Sequence, residues 1–133
     1  MKKRKIVLIS LLVIVLLIVA AVLIGQKVLQ DNLDQIIDLQ IENVSLTDIP
    51  DGSYPGHYAA FPIEVDVMVT VSEYMIKEIK LVKHVHGQGA TAEVITSHVV
   101  QAQSLDVDLI AGATYSSKVI LKAIEEALNE AKP

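Results

Sequence analysis

Residues 6–24 form an apolar run broken only by Ser10. As a helix, 19 residues rising about 1.5 Å each span roughly 28 Å, close to the hydrocarbon thickness of a bilayer. Lipid offers backbone groups no partner, so such a run must be helical to cross it. Lys2, Lys3, Arg4 and Lys5 precede the run, and the positive-inside rule keeps them cytoplasmic. The rest of the chain is then expected outside the cytoplasm. A cleaved signal peptide would have an apolar stretch of about 7–15 residues followed by small residues. Here Ala20 and Ala21 are followed by Val22, Leu23 and Ile24, so an uncleaved single-pass anchor in the cell membrane is the expectation.

Charge divides the chain the same way. Five of the 11 basic residues precede Asp31, while all 16 acidic residues lie from Asp31 onward, which gives that stretch a net charge of about −10. An acidic domain makes a poor partner for nucleic acid, and with no Trp and one Phe there is no stacking platform. The absence of Cys excludes disulfides, thiolate metal sites, cysteine nucleophiles and c-type haem attachment.

The chain divides into a basic tip and membrane anchor (1–25), a helical linker (26–46) and a folded domain (47–133). In the linker, Gln26 to Val44 reads as a helix, with Leu29, Leu33, Ile36, Ile37, Gln40, Ile41 and Val44 recurring near helical spacing. A dimerising stalk and a helix packed on its own domain both fit. Pro50-Asp51-Gly52 and Pro55-Gly56 are turn chemistry. Ile63, Val65, Val67, Val69 and Val71 alternate with Glu64, Asp66, Met68 and Thr70, which predicts a half-buried strand. A second strand over 76–83 changes apolar parity between Ile76 and Ile79, the signature of a bulge. Helices are predicted over 90–101 and 116–131, separated by a loop or short strand. The fold class is α+β: a small antiparallel sheet with helices, preceded by one transmembrane helix.

Asp108-Leu109-Ile110-Ala111-Gly112-Ala113-Thr114-Tyr115-Ser116-Ser117 carries the chemistry. Gly112 and Ala113 allow close backbone approach, and Thr114, Ser116 and Ser117 stand at the mouth of a helix. An anion such as phosphate suits that mouth; a plain helix cap by Thr114 or Ser116 is the structural alternative.

This stretch resembles the flavinylation motif of the FMN-binding domain family, known from the C subunit of the sodium-pumping NADH:quinone reductase and the G subunit of the Rnf complex. The motif reads Asp-x-x-Ser/Thr-Gly-Ala-Thr/Ser, with a polar tail. Asp108, Gly112, Ala113 and Thr114 match it, and Ser116 and Ser117 match the tail. The resemblance extends over Asp51–Leu128, through Asp51-Gly52-Ser53-Tyr54-Pro55-Gly56, the hairpin and Gln103–Asp108. It implies FMN joined to Thr114 by a phosphoester, attached from FAD by an exported, magnesium-dependent flavin transferase. It also implies that Asp108 holds the loop or guides the transferase. Ala111 stands where the family usually has Ser or Thr, which removes a hydrogen bond and keeps non-covalent FMN as the alternative.

Family members contact flavin near Gly87, Gln88 and Gly89, and Tyr54, Tyr58 and Tyr115 could pack on its ring. The implied function is electron transfer between a membrane donor and an exported acceptor. An FMN-bearing reductase subunit and a flavin-free structural or sensory module are the alternatives. No side-chain pair suggests acid–base catalysis, and Glu125 and Glu126 read as a solvated helix face. His84 and His86 fall on one face of a strand end; with His57 or His98 they could ligate metal, but exposed strand-end histidines are the expectation.

Overall fold

A computed structural model describes every residue from Met1 to Pro133. Helix α1 runs from Lys2 to Asp38. Its apolar window is long enough to cross a membrane, and none of that window is buried by the rest of the chain, unlike a soluble core helix. Residues 1–31 form one compact unit and residues 32–133 another.

The second unit is built on a three-stranded antiparallel sheet: β1 (Gly52–Ala60), β2 (Ile63–Ser72) and β3 (Met75–Val85), in that spatial order. A 3₁₀ turn at Ala90–Val94 leads into α2 (Ile95–Ala102), and α3 (Thr114–Glu130) closes the fold. The fold class is as read from the sequence.

The core follows the alternation of β2. Ile63, Val65, Val67, Val69 and Val71 are all buried, while the residues between them are half-buried. Val119, Ile120, Ala123, Ile124, Ala127 and Leu128 of α3 join the same cluster. This is an antiparallel sheet with its apolar face covered by a helix. Gly56 shows how close the layers come. A Cβ there would lie 2.1 Å from the Ala123 carbonyl oxygen. Pro55 and Gly56 pair with Met68 and Val67, so the expected turn is instead part of edge strand β1, where proline is tolerated.

The β2–β3 turn places Glu73 and Tyr74 at φ 53° and 61°, the left-handed geometry of a type I′ hairpin. Asp51 steadies it, accepting from the Glu73 N–H at 2.8 Å and the Ser72 hydroxyl at 2.9 Å. The bulge between Ile76 and Ile79 falls at Lys77, and a second, not anticipated, falls at Val82.

The linker departs from its expected form. The helix ends at Asp38 rather than Val44, and Leu39–Val44 continues without helical turns. Lys118 of α3 donates to the carbonyls of Ile37 and Leu39, satisfying acceptors that a helix end leaves open. Ile36 and Val44 are buried in the domain core, so this part of the linker packs on its own domain.

Glu125 is also not on a solvated face. It is 4% exposed and accepts from the Glu42 N–H at 3.1 Å and the Lys122 ammonium at 2.8 Å. Burial pulls the Lys122 ammonium down, but the hydrogen bond and charge of Glu125, with smaller help from Glu126 and Tyr58, hold it above the ordinary lysine value.

Candidate functional site

The loop before α3 is pinned at both ends. Leu105 is buried, and its N–H donates to the Asn43 side-chain oxygen at 3.0 Å. At the other end, the Ala113 N–H donates to the Ile110 carbonyl at 3.0 Å, with Gly112 at φ +76°. That is a type II pattern, which needs positive φ at its third residue and so favours glycine. Ser117 is fully buried and accepts from the Ile110 N–H at 3.1 Å, tying the turn to the helix it feeds.

Helix α3 begins two residues earlier than expected. Ala113 holds the cap position, and no side chain caps the helix. Neither Thr114 nor Ser116 is therefore the capping hydroxyl of the structural alternative. The first intrahelical bond is Ser117 N–H to Ala113 carbonyl at 2.9 Å, so the N–H groups of Thr114, Tyr115 and Ser116 have no acceptor within the helix. Helix geometry points them, with the positive end of the dipole, out of the N-terminus.

A cavity of about 280 Å³ opens beside this terminus. It is lined by Gly87, Gln88 and Gly89 from the segment after β3, by Gly112, Ala113, Tyr115 and Ser116, and by Leu33, Pro62 and Ile63. The two segments singled out from the sequence, 25 positions apart, thus meet at one site. Gly89 makes the meeting possible: a Cβ on it would lie 2.0 Å from the Ser116 hydroxyl oxygen. Leu33, Pro62 and Ile63 were not anticipated, because long-range packing alone brings them there.

The remaining candidates lie outside the lining. Thr114 is half-buried between two lining residues, Asp108 and Ala111 are exposed, and Ser117 is behind the wall. Tyr54 donates to the Pro50 carbonyl at 2.7 Å, and Tyr58 packs on the core; neither reaches the cavity. The lining has no carboxylate, imidazole or amine, so its polar character comes from the Gln88 amide, the Tyr115 and Ser116 hydroxyls, and the backbone N–H groups and dipole of the helix N-terminus. Such a site suits holding an anionic, partly apolar molecule.

The histidines differ from expectation. The His84 side chain is 3% exposed, with Nδ1 3.0 Å from the Glu93 carboxylate. His57 is exposed and pairs with Asp66, and His98 is exposed and joins neither His57 nor the His84–His86 pair.

Comparison with known proteins places this geometry in context. The model of a family described as the FMN-binding domain matches residues 62–129, just over half of the chain. The match spans β2, β3, the Gly87–Gly89 segment and nearly all of α3. An uncharacterised protein of Treponema pallidum (strain Nichols) is 28% identical over 92 residues. That alignment takes in 67% of this chain and 26% of the relative, so the chain spans about a quarter of the relative's length.

Proposed function

The chain belongs to the FMN-binding domain family, and from that premise we propose that it is a membrane-anchored, extracytoplasmic FMN carrier in electron transfer, with flavin joined to Thr114 by a phosphoester. The observation that carries this reading is the start of α3. Thr114 stands in the first turn of a helix without a side-chain cap, beside the cavity where residues 87–89 and 112–116 meet.

The residues present fit the group. A phosphodiester keeps one negative charge, and the uncapped N–H groups of α3 are the natural partners for it. Gly89 and Gly112 keep side chains out of the approach. Tyr115 offers an aromatic face, and Leu33, Pro62 and Ile63 an apolar wall. Ser117, by holding Ile110, fixes the turn that presents Thr114. Bound FMN would supply the redox chemistry; the chain supplies position, electrostatics and shielding. A covalent bond suits a carrier outside the cytoplasm, where dissociated FMN would diffuse away. Modification from FAD by an exported, magnesium-dependent flavin transferase is part of the same reading, as are a membrane donor and an exported acceptor.

The test is co-expression of the full chain with such a transferase and FAD, followed by fluorescence of the denatured protein on a gel and peptide mass. The wild-type and Thr114→Ser bands should fluoresce, the serine variant more weakly. Thr114→Ala should be dark while keeping the circular dichroism of the wild type, because Thr114 is not the cap. Ser116→Ala should remain fluorescent. A fluorescent Thr114→Ala band would move the attachment elsewhere. A dark wild-type band would overturn covalent attachment, and the colour of the native protein would then decide between bound FMN and none.

A further inference from the structure

His84 is the penultimate residue of β3 and His86 follows it by two residues, so an extended backbone puts both imidazoles on one face. Their ring centroids are 4.4 Å apart. Nε2 of His84 and Nδ1 of His86 are both buried and have no hydrogen-bond partner. Two adjacent rings with orphaned nitrogens are a costly arrangement unless something occupies the space they share. Glu93, from the 3₁₀ turn, brings a carboxylate to the pair: its oxygen lies 3.0 Å from Nδ1 of His84. One ligand atom from each of the three residues lies within 4.8 Å of the others.

We propose that His84, His86 and Glu93 form a binding site for a divalent transition cation of the zinc class. Two imidazole nitrogens and one carboxylate oxygen are borderline donors, suited to zinc rather than to calcium or magnesium, which prefer all-oxygen shells. Around a tetrahedral ion with bonds of about 2.0–2.1 Å, donor atoms stand about 3.3 Å apart, so Glu93, now 3.0 Å from Nδ1 of His84, would turn from that nitrogen toward an ion seated between Nε2 of His84 and Nδ1 of His86. The Glu93 side chain is 48% exposed, which gives the ion an entry path and leaves a coordination position for water. A second cluster, His57, Glu64 and Asp66, has similar spacing. It lacks the decisive feature. His57 is exposed and already paired with Asp66, and Glu64 is paired with Lys83 at 2.8 Å. The proposal does not depend on flavin, although a cation there would clamp the strand end from which Gly87–Gly89 departs.

The experiment uses the untagged full chain in detergent, made without flavin transferase and stripped by chelator, titrated calorimetrically with Zn²⁺. One Zn²⁺ should bind per chain, and Co²⁺ in its place should give the visible absorption of a four-coordinate nitrogen–oxygen site. His86→Ala and Glu93→Gln should each weaken Zn²⁺ binding at least about tenfold. Glu93 is more accessible than His84, and circular dichroism confirms that both variants fold. His57→Ala should bind as the wild type does. The site is refuted by a wild type without saturable Zn²⁺ binding, by a folded His86→Ala that binds equally well, or by loss of binding in His57→Ala.

Discussion

Gly89 has no room for a side chain. A Cβ there would meet Ser116 at 2.0 Å from the hydroxyl oxygen and 2.7 Å from Cβ. The hydroxyl can rotate away, but Cβ moves only if α3 or the Gly87–Gly89 segment moves with it. Gly87, two residues earlier, would meet nothing within 4 Å, and neither glycine has positive φ. The contrast isolates packing from backbone preference. Gly89→Ala should cost about 1–3 kcal/mol, in the range of overpacked sites. It should also reduce flavin retention by displacing one wall of the cavity. Gly87→Ala should stay within about 0.5 kcal/mol of the wild type. Thermal melting and the flavin absorbance of the purified protein measure the two effects. Equal behaviour of the two variants would mean that close packing is not what selects glycine at position 89.

At the scale of elements, β2 was the most legible part of the chain. Strict period two set its parity, and the structure buries each of its five odd-numbered apolar residues. Val67→Asp should therefore place an unpaired charge in the core and abolish cooperative unfolding, whereas Asp66→Asn, which weakens surface contacts with exposed His57 and with Lys83, should cost less than about 1 kcal/mol. Chemical denaturation distinguishes them, and equal tolerance would mean the strand is turned over. The linker was harder to read, because Ile41 and Val44 are apolar for the sake of the core while keeping a spacing that imitates a helix. Glu125 beside Glu126 looks like a solvated face; its burial depends on the Glu42 N–H, 83 positions away, and on Lys122. The Gly87–Gly89 and Gly112–Ser116 segments were each legible through the resemblance. Thr114 was legible as a hydroxyl at a helix mouth, but its place inside the first turn was not, since Ala113 takes the cap position without a capping side chain. The burial of His84 was hidden too, because Glu93 reaches it from a different element.

For the whole molecule, charge near the ends of the apolar run decides which side of a membrane the folded unit occupies. The positive-inside bias is counted over basic residues within about 15–20 positions of a span. On the N-terminal side these are Lys2, Lys3, Arg4 and Lys5; on the C-terminal side Lys27 stands alone through residue 44. Acidic residues contribute little to that bias, so the net charge of the folded unit neither drives nor opposes export. A periplasmic-type phosphatase fused after Pro133 should be active, and a fluorescent protein that matures only in the cytoplasm should be dark when fused there. Replacing Lys2, Lys3, Arg4 and Lys5 with Gln removes the bias and should lower phosphatase activity while raising fluorescence. Intact mass of the membrane fraction tests the anchor itself, which requires the apolar run to remain attached. A bright cytoplasmic fusion on the unaltered chain would reverse the orientation. It would also remove the reason for a covalent tether, since FMN released inside the cell is not lost to the surroundings.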